Sequence, residues 1–167
     1  SVDVHGGYVD KYTGDQIMAL FGAKHASEVD TQRAINSGLD MLAKLEKFNS
    51  ILKNSPKYSS LDIDLSIRVG INTGMVTTGA IGKEREGDYT VYGDSVNLAS
   101  RMESNAPTNT IMLPEETMTL VEAYFHFKDH GNIEVKGKSE PVSVFIVKSK
   151  KDIQVKHSTP FIGRESE

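Results

Sequence analysis

Between Tyr8 and Phe21, apolar and β-branched residues flank a short polar break at Thr13, Gly14 and Asp15, a pattern that predicts a hairpin. Its second arm, Ile17 to Phe21, is apolar on both faces, which predicts a central place in a sheet covered on both sides. From Ser27, a candidate cap, the period changes. Ile35, Leu39, Leu42, Leu45, Phe48 and Leu52 recur at helical spacing, so a helix with a buried stripe is expected to about Asn54. Pro56 and the serines up to Ser60 end it. Alternation from Ile63 to Ile71, turn residues Asn72 to Gly74 and a returning arm from Met75 to Ile81 predict a second hairpin.

After a charged loop at Lys83 to Asp88, Tyr89 to Tyr92 reads as a short strand. Gly93, Asp94 and Ser95 open a helix expected to reach about Ser104, with Asp94 or Ser95 as its cap. Thr110 to Leu113 reads as a strand, and Pro114 as the first position of a helix over EETMTLVEA. Phe125 to Val135 and Val142 to Val147 close the pattern as strands, and no segment repeats. Strands and helices mix with at least two hairpins, so the fold class is α+β: a ferredoxin-like antiparallel sheet core with packed helices. The lysine-rich stretch from Lys148 to Lys156 reads as a linker or a solvated tail.

Composition narrows the function classes. A length of 167 residues suits one domain, and 38% apolar with 25% charged residues excludes a wholly disordered chain. The absence of cysteine excludes a disulfide framework, a thiolate zinc site and a cysteine nucleophile, and fits a reducing compartment. With 19 basic against 23 acidic residues, net −4, no whole-chain basic field attracts nucleic acid, so an anionic ligand has to be held locally. No apolar run approaches the roughly 20 residues of a membrane helix. The segment is therefore expected to be cytoplasmic, without membrane or nucleic-acid contact.

Several residues carry candidate chemistry, each with a plainer alternative. Lys11 and Asp15 flank the first turn among apolar neighbours, as ligand-binding charges or as an ordinary charged rim. Asn97 and Arg101 share one face of the helix after Gly93. Arg101 offers a planar fork for phosphate and Asn97 a donor and acceptor for a sugar, or both form a solvated face. Lys136 and Lys138 surround Gly137, where an ammonium can meet a phosphate or simply water. Thr90 is explained by strand propensity alone. His5, His25, His126, His130 and His157 show no metal-ligand spacing.

Taken together, VDKYTGDQIMALFGA, IRVGINTGMVTTGAIG, DYTVYGDSVNLASRMES and VKGKSEPV resemble, in order, the catalytic domain of class III adenylyl and guanylyl cyclases, from about Gly6 to Val147. The resemblance implies that Lys11 and Thr90 read adenine, that Asn97 orients the ribose, that Arg101 stabilises charge on the α-phosphate, and that Lys136, with Lys138 as fallback, binds phosphate. A Lys and Thr pair resembles the ATP-selective members rather than those with Glu and Cys or Ser. Asp15 matches the second of two aspartates that hold Mg2+ or Mn2+, two ions per site, which would activate the ribose 3′-hydroxyl and neutralise pyrophosphate. The implied reaction is ATP to 3′,5′-cyclic AMP, in a homodimer whose sites are shared between two copies.

The family's first metal aspartate lies further upstream, in an F-x-D-I-x-G-F-T segment, and Asp3 is too close to Asp15 to take its place. Residues 1–148 are thus expected to be a cyclase domain lacking a strand, a helix and one metal ligand at its N-terminus, and weak or inactive in this form. Residues 149–160 are the expected linker, and Thr159 to Glu165 resembles the entry to an ATPase domain. The alternatives are a catalytically silent nucleotide-binding regulatory domain and, far less suited by charge and aromatic content, a ferredoxin-like RNA-binding module.

Overall fold

The computed structural model describes residues 1–23, 25–80 and 89–152. The first hairpin forms as expected, from β1 (Tyr8–Thr13) and β2 (Gln16–Leu20). It is not central, however: β1 and β2 make a two-stranded sheet of their own, and Ile17 is 55% exposed. The expectation of a strand covered on both faces is corrected, because among the described strands β2 pairs with β1 alone.

Helix α1 (Asp30–Asn54) starts three residues after Ser27. Ser27 is not its cap; the Asp30 carboxylate instead accepts from the Ser27 amide at 2.6 Å. The stripe is buried where α1 meets the sheet, at Ile35, and loosens along the helix until Phe48 stands 48% exposed. Near its middle, hydrogen bonds from Lys44 and Ser1 hold the partly exposed Asp40 carboxyl at about 2, below its ordinary 3.8. A depressed carboxylate favours the folded state above pH 3.8 and loses that contribution as pH falls toward 2. Lys44→Ala is expected to move the Asp40 midpoint back toward 3.8, read by carboxyl-carbon NMR titration.

The second hairpin is paired differently from the sequence expectation. Strand β3 is only Arg68–Gly70 and runs parallel to β6 (Thr110–Pro114). The returning strand β4 (Thr77–Ala80) pairs instead with β5 (Tyr89–Tyr92). The reason lies in the turn residues: the Asn72 amide donates to Ser95 O at 3.0 Å and the Thr73 N–H to Thr117 Oγ1 at 3.0 Å, so their polar groups bind helices rather than close a hairpin. The charged loop predicted at Lys83 to Asp88 lies outside the described residues.

Helix α2 (Asp94–Asn105) follows β5. Neither Asp94 nor Ser95 caps it; Gly93 is the cap residue, at φ 138°, a backbone that side chains rarely adopt. Pro114 ends β6 in extended conformation rather than starting the next helix, and α3 is confined to Glu115–Thr119. Strands β7 (Phe125–Ile133) and β8 (Val142–Lys150) pair antiparallel, so the first residues of the lysine-rich stretch belong to the sheet. The order of the main sheet is β3-β6-β8-β7, antiparallel except for the first pair.

The core divides into two clusters on either side of β6. Met112, Val144 and Ile146 pack with Leu98 and Met102 of α2. Ile111, Leu113 and Val147 pack with Ile35 of α1, Val121 and Phe125. Alternation along a strand sends successive side chains to opposite faces, and both faces of β6 are covered, which is why it is apolar throughout its buried stretch, Ile111 to Pro114. The result is the expected α+β class.

Candidate functional site

Lys11 lies in β1, next to an irregularity that decides its direction. Val9 pairs with Ala19 and Lys11 with the adjacent Met18, so Asp10 is an extra residue, a β-bulge. Val9 and Lys11 consequently face opposite sides, where a regular strand would put them on the same one. Val9 is half-buried and Lys11 exposed. Asp15 occupies the turn before β2, also exposed, and its neighbour Gln16 donates to the Glu103 carboxylate of α2 at 3.3 Å. That bond brings the hairpin tip alongside the helix carrying Asn97 and Arg101.

Helix α2 separates its two faces cleanly. Leu98 and Met102 are buried in the core, while Asn97 and Arg101, one turn apart, are exposed. Backbone register sets Thr90 of β5 opposite Gly79 of β4; nothing further is described of its side chain. Lys136 and Lys138 are exposed in the turn after β7, closed by the Lys138 N–H to Val135 O at 3.0 Å with Gly137 at φ 95°. The six expected site residues thus sit on four separate places: the β1–β2 hairpin, β5, one face of α2, and the β7–β8 turn. A groove of about 660 Å³ between α1 and the Asp64 and Asn109 segments includes none of them.

Asp15 supplies one carboxylate, and among the described residues no group of three His, Cys, Asp or Glu side chains could hold a metal ion. A lone exposed carboxylate is too weak a set of donors for a divalent cation, which takes about six oxygen ligands. The described residues therefore do not by themselves make the metal centre that the resemblance implies.

Sequence reasoning passed over the residues beneath α2. An added Cβ on Gly70 would strike Ala99 O and Glu103 N of the α2 backbone, and one on Gly74 would strike Ser95 Oγ. Asn72 and Thr117 complete the contact through hydrogen bonds. The signal lies in the spacing Gly70-x-x-x-Gly74, one glycine on each side of Asn72, of which strand alternation takes Gly70 and turn composition takes Asn72 to Gly74.

Residues 2–149 match the adenylate and guanylate cyclase catalytic domain model. An adenylate cyclase of Anabaena cylindrica is 32% identical over 154 residues, covering 89% of this chain and 30% of that protein. The guanylate cyclase soluble subunit beta-2 of Rattus norvegicus is 31% identical over 167 residues, covering 97% of this chain and 23% of its own. Among solved structures, the adenylyl cyclase CyaB from P. aeruginosa superposes with a TM-score of 0.80 at 33% identity, covering 90% of this chain and 76% of that one. A match over nearly all of the described sheet and helices defines a class III cyclase catalytic domain. The chain belongs to the adenylate and guanylate cyclase family, and it spans 30% or less of the length of the two curated relatives named.

Proposed function

We propose that this domain converts ATP to 3′,5′-cyclic AMP and pyrophosphate. The observation that carries the reading is α2, whose buried face anchors it in the core while Asn97 and Arg101 stand one turn apart on the exposed face. Arg101 is positively charged at every physiological pH and presents two parallel N–H groups, suited to the charge that grows on the α-phosphate during in-line attack by the ribose 3′-hydroxyl. Asn97, with one donor and one acceptor group, orients the ribose so that the attacking oxygen lines up. Lys11 donates to an adenine ring nitrogen and the Thr90 hydroxyl accepts from the exocyclic amine, which favours ATP over GTP. Lys136, or Lys138 beside it, binds the departing phosphates as a point charge.

The chemistry that Mg2+ or Mn2+ supplies when bound is charge neutralisation and a lowered hydroxyl pKa. Asp15 would contribute its carboxylate, with substrate phosphate oxygens and water completing the coordination. A homodimer fits the scatter of Lys11, Asp15, Asn97, Arg101 and Lys136 over separate exposed surfaces, since two copies facing each other would bring the Asp15 turn of one to the α2 face of the other. No described helix is long and apolar enough to cross a membrane. We place the domain in the cytoplasm, where ATP is abundant; of the linker expected at 149–160, residues 149 and 150 end β8, and residues 153–167, with the expected ATPase entry, lie outside the described residues.

A second reading, a silent nucleotide-binding regulatory domain, is favoured by the lone carboxylate at Asp15. Cyclic nucleotide formation from ATP and, separately, GTP with manganese, on the full-length protein that carries this domain, separates the two. Cyclic AMP in clear excess over cyclic GMP is the expected result. ATP binding without product supports the regulatory reading, and an excess of cyclic GMP overturns the adenine assignment of Lys11 and Thr90.

A further inference from the structure

Resting on the reading of α2 as the substrate-facing helix, we propose that Asn72 is a positioning residue, which with Thr117 sets the rotation of α2 and so the aim of Asn97 and Arg101. The segment from Gly70 to Met75 runs beneath this helix from its first turn at Ser95 to its third at Glu103. Gly70 lies directly against the α2 backbone at Ala99 and Glu103, and Gly74 against the Ser95 side chain, so the distance between helix and segment is set by the absence of two side chains. Leu98 and Met102 seat the helix in the core, but apolar packing is not directional and leaves room for a small roll about the helix axis. Rotation is fixed by two directional bonds in the first turn: the Asn72 amide donates to Ser95 O at 3.0 Å, and Ser95 Oγ donates to Met75 O at 2.8 Å.

Asn72 is itself held. Its Oδ1 accepts from Thr117 Oγ1 at 3.2 Å, and the same hydroxyl accepts from the Thr73 N–H at 3.0 Å. Thr73 is tied in turn to Thr31 of α1, hydroxyl to hydroxyl, at 3.0 Å. Thr117 is fully buried, so its hydroxyl has no water to turn to and its single proton is committed to Asn72. An amide is the side chain this place needs, because Oδ1 has to accept from Thr117 while Nδ2 donates to Ser95. Aspartate, of equal shape, would set a second acceptor against the Ser95 carbonyl and repel it. Asn97 lies two residues beyond Ser95, and Arg101 one turn further on. A small roll at Ser95 therefore moves Asn97 off the ribose and Arg101 off the reacting phosphate, and a displacement of about 1 Å can lower a rate about 100-fold.

The test uses the full-length protein with the variants Asn72→Asp, Thr117→Val and Thr117→Ser, assayed well below their melting temperatures. Asn72→Asp and Thr117→Val are expected to lower kcat about 10- to 100-fold, with KM for ATP held within about threefold. Thr117→Ser, which keeps the hydroxyl, is expected to retain the wild-type kcat. Amide exchange gives an arm independent of activity: Val96 and Asn97, whose N–H groups bond to Gly93 O at 3.1 and 3.2 Å, should exchange at least about tenfold faster in Asn72→Asp and Thr117→Val. Wild-type kcat in both of those variants, or a Thr117→Ser protein as impaired as Thr117→Val, would overturn the proposal. If the wild-type protein makes no cyclic nucleotide, the cyclase reading fails on its own, and unchanged exchange at Val96 and Asn97 still sinks the positioning role.

Discussion

Arg101→Ala is expected to lower cyclic AMP formation about 100- to 1,000-fold, the usual effect of deleting a charged donor aimed at charge that develops in a transition state. Stability should stay within about 0.5 kcal/mol of wild type, because Arg101 is exposed and α2 is anchored from its other face by Leu98 and Met102. Arg101→Lys should not restore the rate, since an ammonium cannot offer two parallel N–H groups to one phosphate. The same variant tests how the site is divided. Coexpressed full-length chains carrying Asp15→Ala and Arg101→Ala, each inactive alone, should recover activity on mixing, because every mixed dimer holds one intact site beside one that carries both substitutions. A loss of activity accompanied by a lower melting temperature would make Arg101 a structural residue, and no recovery on mixing would mean that Arg101 and Asp15 do not serve a shared site.

The second large effect concerns the core. Phe125→Ala should cost about 3–5 kcal/mol, read as a fall in chemical-denaturation midpoint with an unchanged slope. Phe125 is 2% exposed at the start of β7, where it packs with Ile35, Ile111, Leu113, Val121 and Val147 and meets Phe127 edge-on at 6.4 Å between ring centres. The cavity would open where α1, α3 and the sheet converge, and a β-strand paired along its length cannot move in to fill it. Phe125→Leu, which keeps much of the volume, should cost less than half as much. Equal losses for the two variants would mean that the aromatic contact with Phe127, not burial, dominates the position.

What could be read from the chain and what could not divides along physical lines. Strand β6 and helix α2 were legible because each answers to a local rule: an unbroken apolar run for a strand covered on both faces, and a 3.6-residue stripe for a helix with one wet side. The partner of β4 was not legible. Asn72 to Gly74 has the composition of a hairpin turn, and only the distant Thr117 and Ser95 divert its hydrogen bonds to the helices. Phe48 fits the stripe of α1 as well as Ile35 does, yet the sheet extends under only one end of the helix. In the site, the exposed pair Asn97 and Arg101 followed from spacing. The direction of Lys11 did not, since the extra residue at Asp10 reverses the face that alternation assigns it. Nor did the cradle beneath α2, whose main ingredients are two missing side chains.

The parallel pairing of β3 with β6 also governs the order in which the chain can assemble. β7 and β8 adjoin in sequence, so that pair closes through a short loop. β3 joins only by closing a long one: Ile67 and Asn109, which bond through the Asn109 backbone and side chain at 2.7 and 3.1 Å, stand 42 residues apart. Pairing across such separation is slow, because chain entropy is lost before the contact rewards it. On the ribosome β1 and β2 can pair at once, but β3 and the inner face of α1 meet their partners only when β6 follows. For that interval the apolar faces of α1 and β3 are open to proteases and to other nascent chains, so cellular yield depends on how quickly the later half is made.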